Sequence, residues 1–215
     1  MNTNPSAKTV LCFGDSNTWG RTPDRIGRYA SDVRWPGVVQ DILGPNYYVI
    51  EEGLGGRTID LESPNGSGRN GKVYFSPCFT SHSPVDILII MLGTNDLKKH
   101  YKTNAITIKS SLSSLIDDAQ TLDETGALKI IVVSPIHIVA DAPRFKEFYS
   151  EDFDGGAGDE SKRVSTAIKT LCDQRKISYI DASICARAGE DGLHLDLESC
   201  KNLSLEIAKK ILTLA

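Results

Sequence analysis

The stretch Asp86–Asp96, DILIIMLGTND, decides the fold class. From Asp86 to Met91 the side chains are almost unbroken in aliphatic character, with no alternation of apolar and polar positions. A run of this kind reads as a strand covered on both faces, the condition of a strand inside a parallel sheet. Gly93-Thr94-Asn95-Asp96 then punctuates it, as a turn does where a strand hands over to a helix.

Lys129–Ser134 (KIIVVS) has the same nearly continuous character. Thr9–Phe13 (TVLCF), Tyr47–Glu51 (YYVIE) and, more weakly, Ile177–Asp181 (ISYID) supply three further runs rich in β-branched and aromatic residues. Between them lie segments with helical spacing. Val38, Val39, Ile42 and Leu43 make one apolar face before Gly44-Pro45, and Ile108, Leu112, Leu115, Ile116 and Leu122 make another that ends near Gly126. Val164, Ile168 and Leu171 form a third, and Leu203, Leu205, Ile207, Ile211 and Leu212 a C-terminal one. Strand and helix alternating along the whole chain predict a doubly wound α/β sandwich with right-handed crossovers. With 215 residues and neither an internal repeat nor a low-complexity linker, one domain spanning residues 1–215 is expected.

Two stretches break the alternation. Ser63–Gly71 (SPNGSGRNG) reads as a surface loop. Asp141–Gly158, with Phe145, Phe148, Tyr149 and Phe153, reads as a lid, an oligomer contact or a variable surface insertion.

Charge and cysteine usage exclude several function classes. A formal net charge of −4, with basic pairs only at scattered positions, gives no footprint for nucleic acid. Five dispersed cysteines without Cys-x-x-Cys spacing argue against a disulfide framework and a structural zinc site, and fit reduced thiols in a cytoplasmic protein. No apolar run approaches the ~20 residues that cross a bilayer, so no membrane association is expected. His82, His100 and His137 show no partner at metal-ligand spacing; neither a metal nor a cofactor is expected.

In a parallel sheet, ligands meet the carboxyl ends of the strands. The residues that follow the predicted strands are Gly14-Asp15-Ser16-Asn17-Thr18, Gly53-Leu54-Gly55-Gly56-Arg57, Gly93–Asp96 and, after a short connection, Asp191-Gly192-Leu193-His194. Each piece alone is an ordinary turn or helix start. Together they place a serine, a Gly-rich backbone, an asparagine and an Asp/His pair on one sheet edge. Ser16 is the candidate nucleophile, His194 its base and Asp191 the group that orients the base. The Ser16 N–H, an N–H at Gly55 or Gly56, and the neutral side-chain amide of Asn95 are the candidate oxyanion donors.

With these blocks in place, the chain resembles the SGNH (GDSL-type) hydrolases, whose marker residues fall here on Ser16, a glycine of the second block, Asn95 and His194. The lipase elbow Gly-x-Ser-x-Gly is not met, because position 18 is Thr. The resemblance implies a three-layer, flavodoxin-like parallel five-stranded sheet of order 2-1-3-4-5. It also implies an oxyanion hole from Ser16, Gly56 and Asn95, with Gly56 preferred to Gly55.

Gly14–Gly20 (GDSNTWG), Asp32–Gly37 (DVRWPG), Val49–Leu54 (VIEEGL), Arg57-Thr58, Ile89–Asp96 (IIMLGTND) and Asp191–His194 are further similar to the bacterial arylesterase/acyltransferase branch. That likeness implies a small-molecule ester substrate, hydrolysis of short acyl esters or, alternatively, acyl transfer to an alcohol or peroxide, and a homo-oligomer. Asn17 and Gly55-Gly56 depart from the branch pattern, and both would line the site. Trp19, Trp35 and the aromatics of residues 141–153 are candidates for an apolar acyl-acceptor channel, or else for core.

Overall fold

Each of the five aliphatic runs forms a strand: β1 (Lys8–Gly14), β2 (Tyr47–Gly53), β3 (Ile87–Met91), β4 (Lys129–Val133) and β5 (Ser178–Ile180). In the computed structural model, which describes residues 2–64 and 66–214, they pair in parallel in the order β2-β1-β3-β4-β5. That is the order implied by the family resemblance.

The alternation hidden in each aliphatic run separates two cores. Leu11, Phe13, Leu88, Ile90, Ile130 and Val132 face helices α3 (Gly71–His82), α4 (Ala105–Leu122) and α6 (Ala157–Arg175). Val10, Cys12, Ile87, Ile89, Ile131 and Val133 face α2 (Trp35–Leu43) and α8 (Leu197–Leu214). Residues 87–91 of β3 are all buried. At about 1.5–3 kcal/mol for each fully buried aliphatic side chain, this strand serves stability and leaves chemistry to the loop beyond it.

Four helices match the predicted apolar faces, and α3 is an addition. Pro77 inside it and its mixed polar sequence hide the helical period. Its start is local: Asn70 Oδ1 accepts the Val73 N–H at 3.3 Å. Among the described residues, three short α-helices, α1 (Ser16–Trp19), α5 (Phe145–Tyr149) and α7 (Ala182–Cys185), and three single 3-10 turns, Gly44–Asn46, Asn95–Leu97 and Lys99–Tyr101, complete the fold. Among the described residues, no helix is long and apolar enough to cross a membrane.

Residues 141–158 are not a featureless loop. Phe145, Tyr149, Phe153 and Ala157 form a third apolar cluster with Ile138 and Leu193. The segment is thereby packed onto the loop that carries Asp191 and His194.

Candidate active site

The first block is held by a short capped helix. Asp15 accepts the Asn17 N–H at 2.9 Å, and Gly20, at φ 90°, closes α1 in the left-handed region. Neighbouring strands leave little room. A Cβ on Gly14 would lie 2.0 Å from Thr18 Oγ1, and one on Gly53 would lie 2.2 Å from the Trp19 backbone nitrogen. Glycine at these strand ends lets α1 sit directly on the sheet edge, with Ser16 as its first residue.

The loop after β5 supplies the other half. Asp191 Oδ1 accepts the backbone N–H groups of Leu193 and His194 at 3.0 and 2.9 Å, so the carboxylate shapes the turn that presents the imidazole. His194 Nδ1 lies 2.6 Å from Asp191 Oδ2, and His194 Nε2 lies 2.9 Å from Ser16 Oγ. A carboxylate only accepts, so Nδ1 carries the proton and Nε2 presents its lone pair to the serine hydroxyl. Burial pushes the Asp191 carboxyl upward. The hydrogen bond and charge of His194, with the two backbone N–H groups, outweigh this and hold it below the ordinary carboxylate value.

Sequence reasoning missed two contributors. Tyr149, on α5, donates its hydroxyl to Asp191 Oδ2 at 3.0 Å and lies 3.2 Å from His194 Nδ1. Burial, and then the charge of Asp191, push the Tyr149 phenol up, so it stays a donor. Asp191 thus accepts four hydrogen bonds and has no unmet demand. An aromatic in an irregular segment carries no signal for such a role.

The second is Asn17, which does not line the cavity as expected. Its side chain turns inward, accepting the Leu195 N–H at 2.9 Å and donating to the Leu193 carbonyl at 3.3 Å.

The second and third blocks meet beside Ser16. Arg57 N–H donates to the Leu54 carbonyl at 3.1 Å, closing a turn in which Gly56 takes φ 78°. The Gly55 carbonyl accepts Arg69 Nε at 3.1 Å. In a trans peptide the N–H points opposite to the C=O, so the Gly56 N–H is directed away from Arg69. Among the described residues, neither the Ser16 nor the Gly56 N–H donates to another group of the chain.

Asn95 Nδ2 donates to the Arg57 carbonyl at 3.1 Å, while its second contact, to Asp15 Oδ2, is 3.5 Å. Beneath them the buried Arg57 guanidinium donates to the carbonyls of Gly14 and Glu52 and covers the Phe13 ring at 4.3 Å. Asp96, next in the block, faces the other way and accepts the Ile59 N–H at 3.0 Å.

These groups open into a cavity of about 460 Å³ whose walls include Ser16, Gly56, Asn95 and His194. Trp19 is part of its wall, flanked by the guanidinium groups of Arg21 and Arg28 at 5.0 and 4.9 Å. Trp35 is not. It is fully buried in the core beneath α2, and Phe145 and Phe153 are likewise core residues. Of the expected apolar channel only Trp19 and Tyr149 border the cavity.

His82, read from sequence as having no metal-ligand partner, lies 2.9 Å from Glu52 Oε1 and close to Cys78. Burial, then the charge of Glu52, pushes the Cys78 thiol up to about 12, against the Arg57 guanidinium, which lowers it. The cluster reads as a hydrogen-bonded network.

A family model described as GDSL-like lipase/acylhydrolase matches residues 12–198. Among solved structures, Est24, a carbohydrate acetylesterase from Sinorhizobium meliloti, is 36% identical with a TM-score of 0.88, over 97% of this chain and 100% of that one. The inhibitor-bound aryl esterase of M. smegmatis is 33% identical with a TM-score of 0.88, over 97% and 100%. A carbohydrate acetylesterase family member from Sinorhizobium meliloti is 30% identical with a TM-score of 0.90, over 96% and 98%. No curated protein compared with the chain matches it.

Proposed function

The chain belongs to the GDSL-like lipase/acylhydrolase family, and from that premise we propose that it is a serine esterase acting on short-chain carboxylic esters through an acyl-enzyme on Ser16. The observation that carries this reading is the unbroken relay Ser16 Oγ–His194 Nε2–His194 Nδ1–Asp191 Oδ2, at 2.9 and 2.6 Å.

In the first half-reaction His194 Nε2 takes the Ser16 proton as Oγ bonds to the ester carbonyl carbon. The negative charge that develops on the carbonyl oxygen is met by the N–H groups of Ser16 and Gly56 and by Asn95 Nδ2. Gly56 is preferred to Gly55 because the peptide joining them is anchored at its carbonyl end by Arg69. Collapse breaks the C–O bond of the ester, and the alcohol leaves with the proton held on His194. Water then repeats the sequence, with His194 taking its proton, and releases the acid and free Ser16. Asp191 keeps Nδ1 protonated throughout and stabilises the imidazolium between steps.

An alcohol could replace water in the second half-reaction, the transferase alternative. With Trp35 and the aromatics of residues 145 and 153 in the core, little apolar wall remains to concentrate an alcohol, and hydrolysis is the favoured outcome. We extend the proposal to a homo-oligomer, which the resemblance to the arylesterase branch implies; sedimentation as a monomer would overturn that part.

The test is a panel of aryl and alkyl acetates and butyrates against wild type and Ser16→Ala. Wild type is expected to turn over the short esters, and Ser16→Ala to keep only the residual supplied by binding and the oxyanion donors. A Ser16→Ala protein retaining more than roughly a few per cent of wild-type kcat would exclude Ser16 as nucleophile.

A further inference from the structure

The walls of the cavity carry a charge opposite to that of the chain. The whole sequence has a formal net charge of −4. Around the cavity, Arg21, Arg25, Arg69 and Lys98 face a single carboxylate, Asp152, and Lys98 Nζ lies 3.3 Å from it. His100 also borders the cavity, and the Asp191 carboxylate lies behind His194 with four donors of its own.

Arg21 and Arg25 are the significant pair, because neither forms an ion pair with a carboxylate among the described residues. Both lie in the loop between α1 and α2. The Arg21 guanidinium lies over the Trp19 ring at 5.0 Å and donates one Nη1 hydrogen to the Arg25 carbonyl at 3.4 Å. Arg25 lies over the Phe148 and Tyr149 rings at 5.2 and 5.1 Å, and its Nη1 donates to the Phe148 carbonyl at 3.4 Å.

A guanidinium held over aromatic rings by cation–π attraction keeps N–H groups that the rings do not use, and these suit a carboxylate or phosphate oxygen. A half-exposed guanidinium could also serve only as a cover for the ring it stacks on. Asp24, between them in the chain, is engaged instead by the Thr22 hydroxyl at 2.5 Å and the Ile26 N–H at 2.9 Å. Two guanidinium groups beside one reactive serine, neither ion-paired among the described residues, exceed what covering Trp19 and Tyr149 requires.

Resting on the esterase reading, we propose that Arg21 and Arg25 form an anion-recognition subsite, so that the preferred substrate is an ester bearing a carboxylate or phosphate group. The subsite also draws such esters toward the cavity from solution, a field effect that salt screens.

The experiment compares esters matched except for charge: para-acetoxybenzoate against its methyl ester, with the anion on the leaving side, and monophenyl succinate against phenyl methyl succinate, with the anion on the acyl side. Binding is read by calorimetry on Ser16→Ala, and kcat/KM on the wild type. The anionic member of at least one pair is expected to be favoured about tenfold at low ionic strength, with the advantage collapsing in about 0.5 M salt. Arg21→Gln alone, and with Arg25→Gln, should reduce the anionic-to-neutral ratio stepwise. Arg21→Gln guards against loss of the α5 contacts in the double variant. Equal or weaker binding of both anions, or a preference that survives both substitutions, overturns the subsite. Charge-selective binding without turnover of any ester would sink the esterase reading and leave the subsite standing. Turnover of both members of each pair alike would do the reverse.

Discussion

The side-chain amide of Asn17 brackets His194, bonding the backbone on both sides of it: the Leu193 carbonyl at 3.3 Å and the Leu195 N–H at 2.9 Å. The residue next to Ser16 in sequence therefore sets where the imidazole stands relative to it. An Asn17→Leu substitution leaves both backbone groups buried and unpaired, at about 1–3 kcal/mol each. We expect a lower Tm and a kcat reduced at least ~10-fold, since small displacements of a catalytic group are costly. Asn17→Asp keeps the acceptor and should fall between the two. Steady-state kinetics with thermal melts decide it: an Asn17→Leu enzyme with wild-type kcat would show that the bracket does not position His194.

Tyr149 and Asp191 offer a graded comparison. Tyr149→Phe removes one of four hydrogen bonds to the carboxylate and preserves the ring packing, so kcat should drop by roughly 3- to 10-fold with KM little changed. Asp191→Asn changes the acceptor that selects the His194 tautomer and should cost on the order of 10⁴. If Tyr149→Phe were as damaging as Asp191→Asn, the phenol would have to act on substrate directly.

For Asn95→Ala the expected loss is ~10²–10³ in kcat, because its amide acts on charge that exists only in the transition state. The same substitution frees the Arg57 carbonyl that Asn95 holds at 3.1 Å, so a modest fall in Tm should accompany it. A rise in KM with kcat intact would reassign Asn95 to substrate binding.

Asp96 and Asp15 give stability a pH dependence of unusual sign. Burial raises Asp96 to about 7, against the Ile59 N–H and its own backbone N–H, which lower it. Burial likewise raises Asp15 to about 6, opposed by the Asn17 N–H and then by the charges of His194 and Arg57. A carboxyl raised on folding binds more protons in the native than in the unfolded state, so stability falls as pH rises from about 4 to about 7. Asp191, held low, adds stability above the ordinary carboxylate value that is lost only at more acid pH. Denaturation midpoints across that window should decline toward neutrality, and Asp96→Asn should flatten the decline. An unchanged slope in Asp96→Asn would remove Asp96 as its source.

The sheet was legible in the sequence because its strands are buried on both faces. Runs such as Asp86–Met91 and Lys129–Ser134 have to be aliphatic throughout, and their ends are marked by turn residues that no packing detail alters. The juxtaposition of Ser16, Asn95, Asp191 and His194 followed from strand order, since a parallel sheet delivers the ends of its strands to one edge. The helix Gly71–His82 was not legible, because Pro77 and its scattered polar residues blur the period that marks a helix.

Where side chains point was settled only by tertiary packing. Position 17 reads as facing the cavity, yet the close seating of α1 against β2 turns Asn17 toward the loop near residue 194. Trp35 reads as a possible channel wall, and the docking of α2 on α8 places it in the core. Tyr149 meets Asp191, and Arg21, Arg25, Arg69 and Lys98 meet one cavity, from segments separated by tens of residues with no shared period. Local sequence determines which backbone forms and where it turns, because propensity and burial act over a few neighbours. Partnerships between distant side chains depend on how those pieces come to rest against each other, which no local pattern encodes.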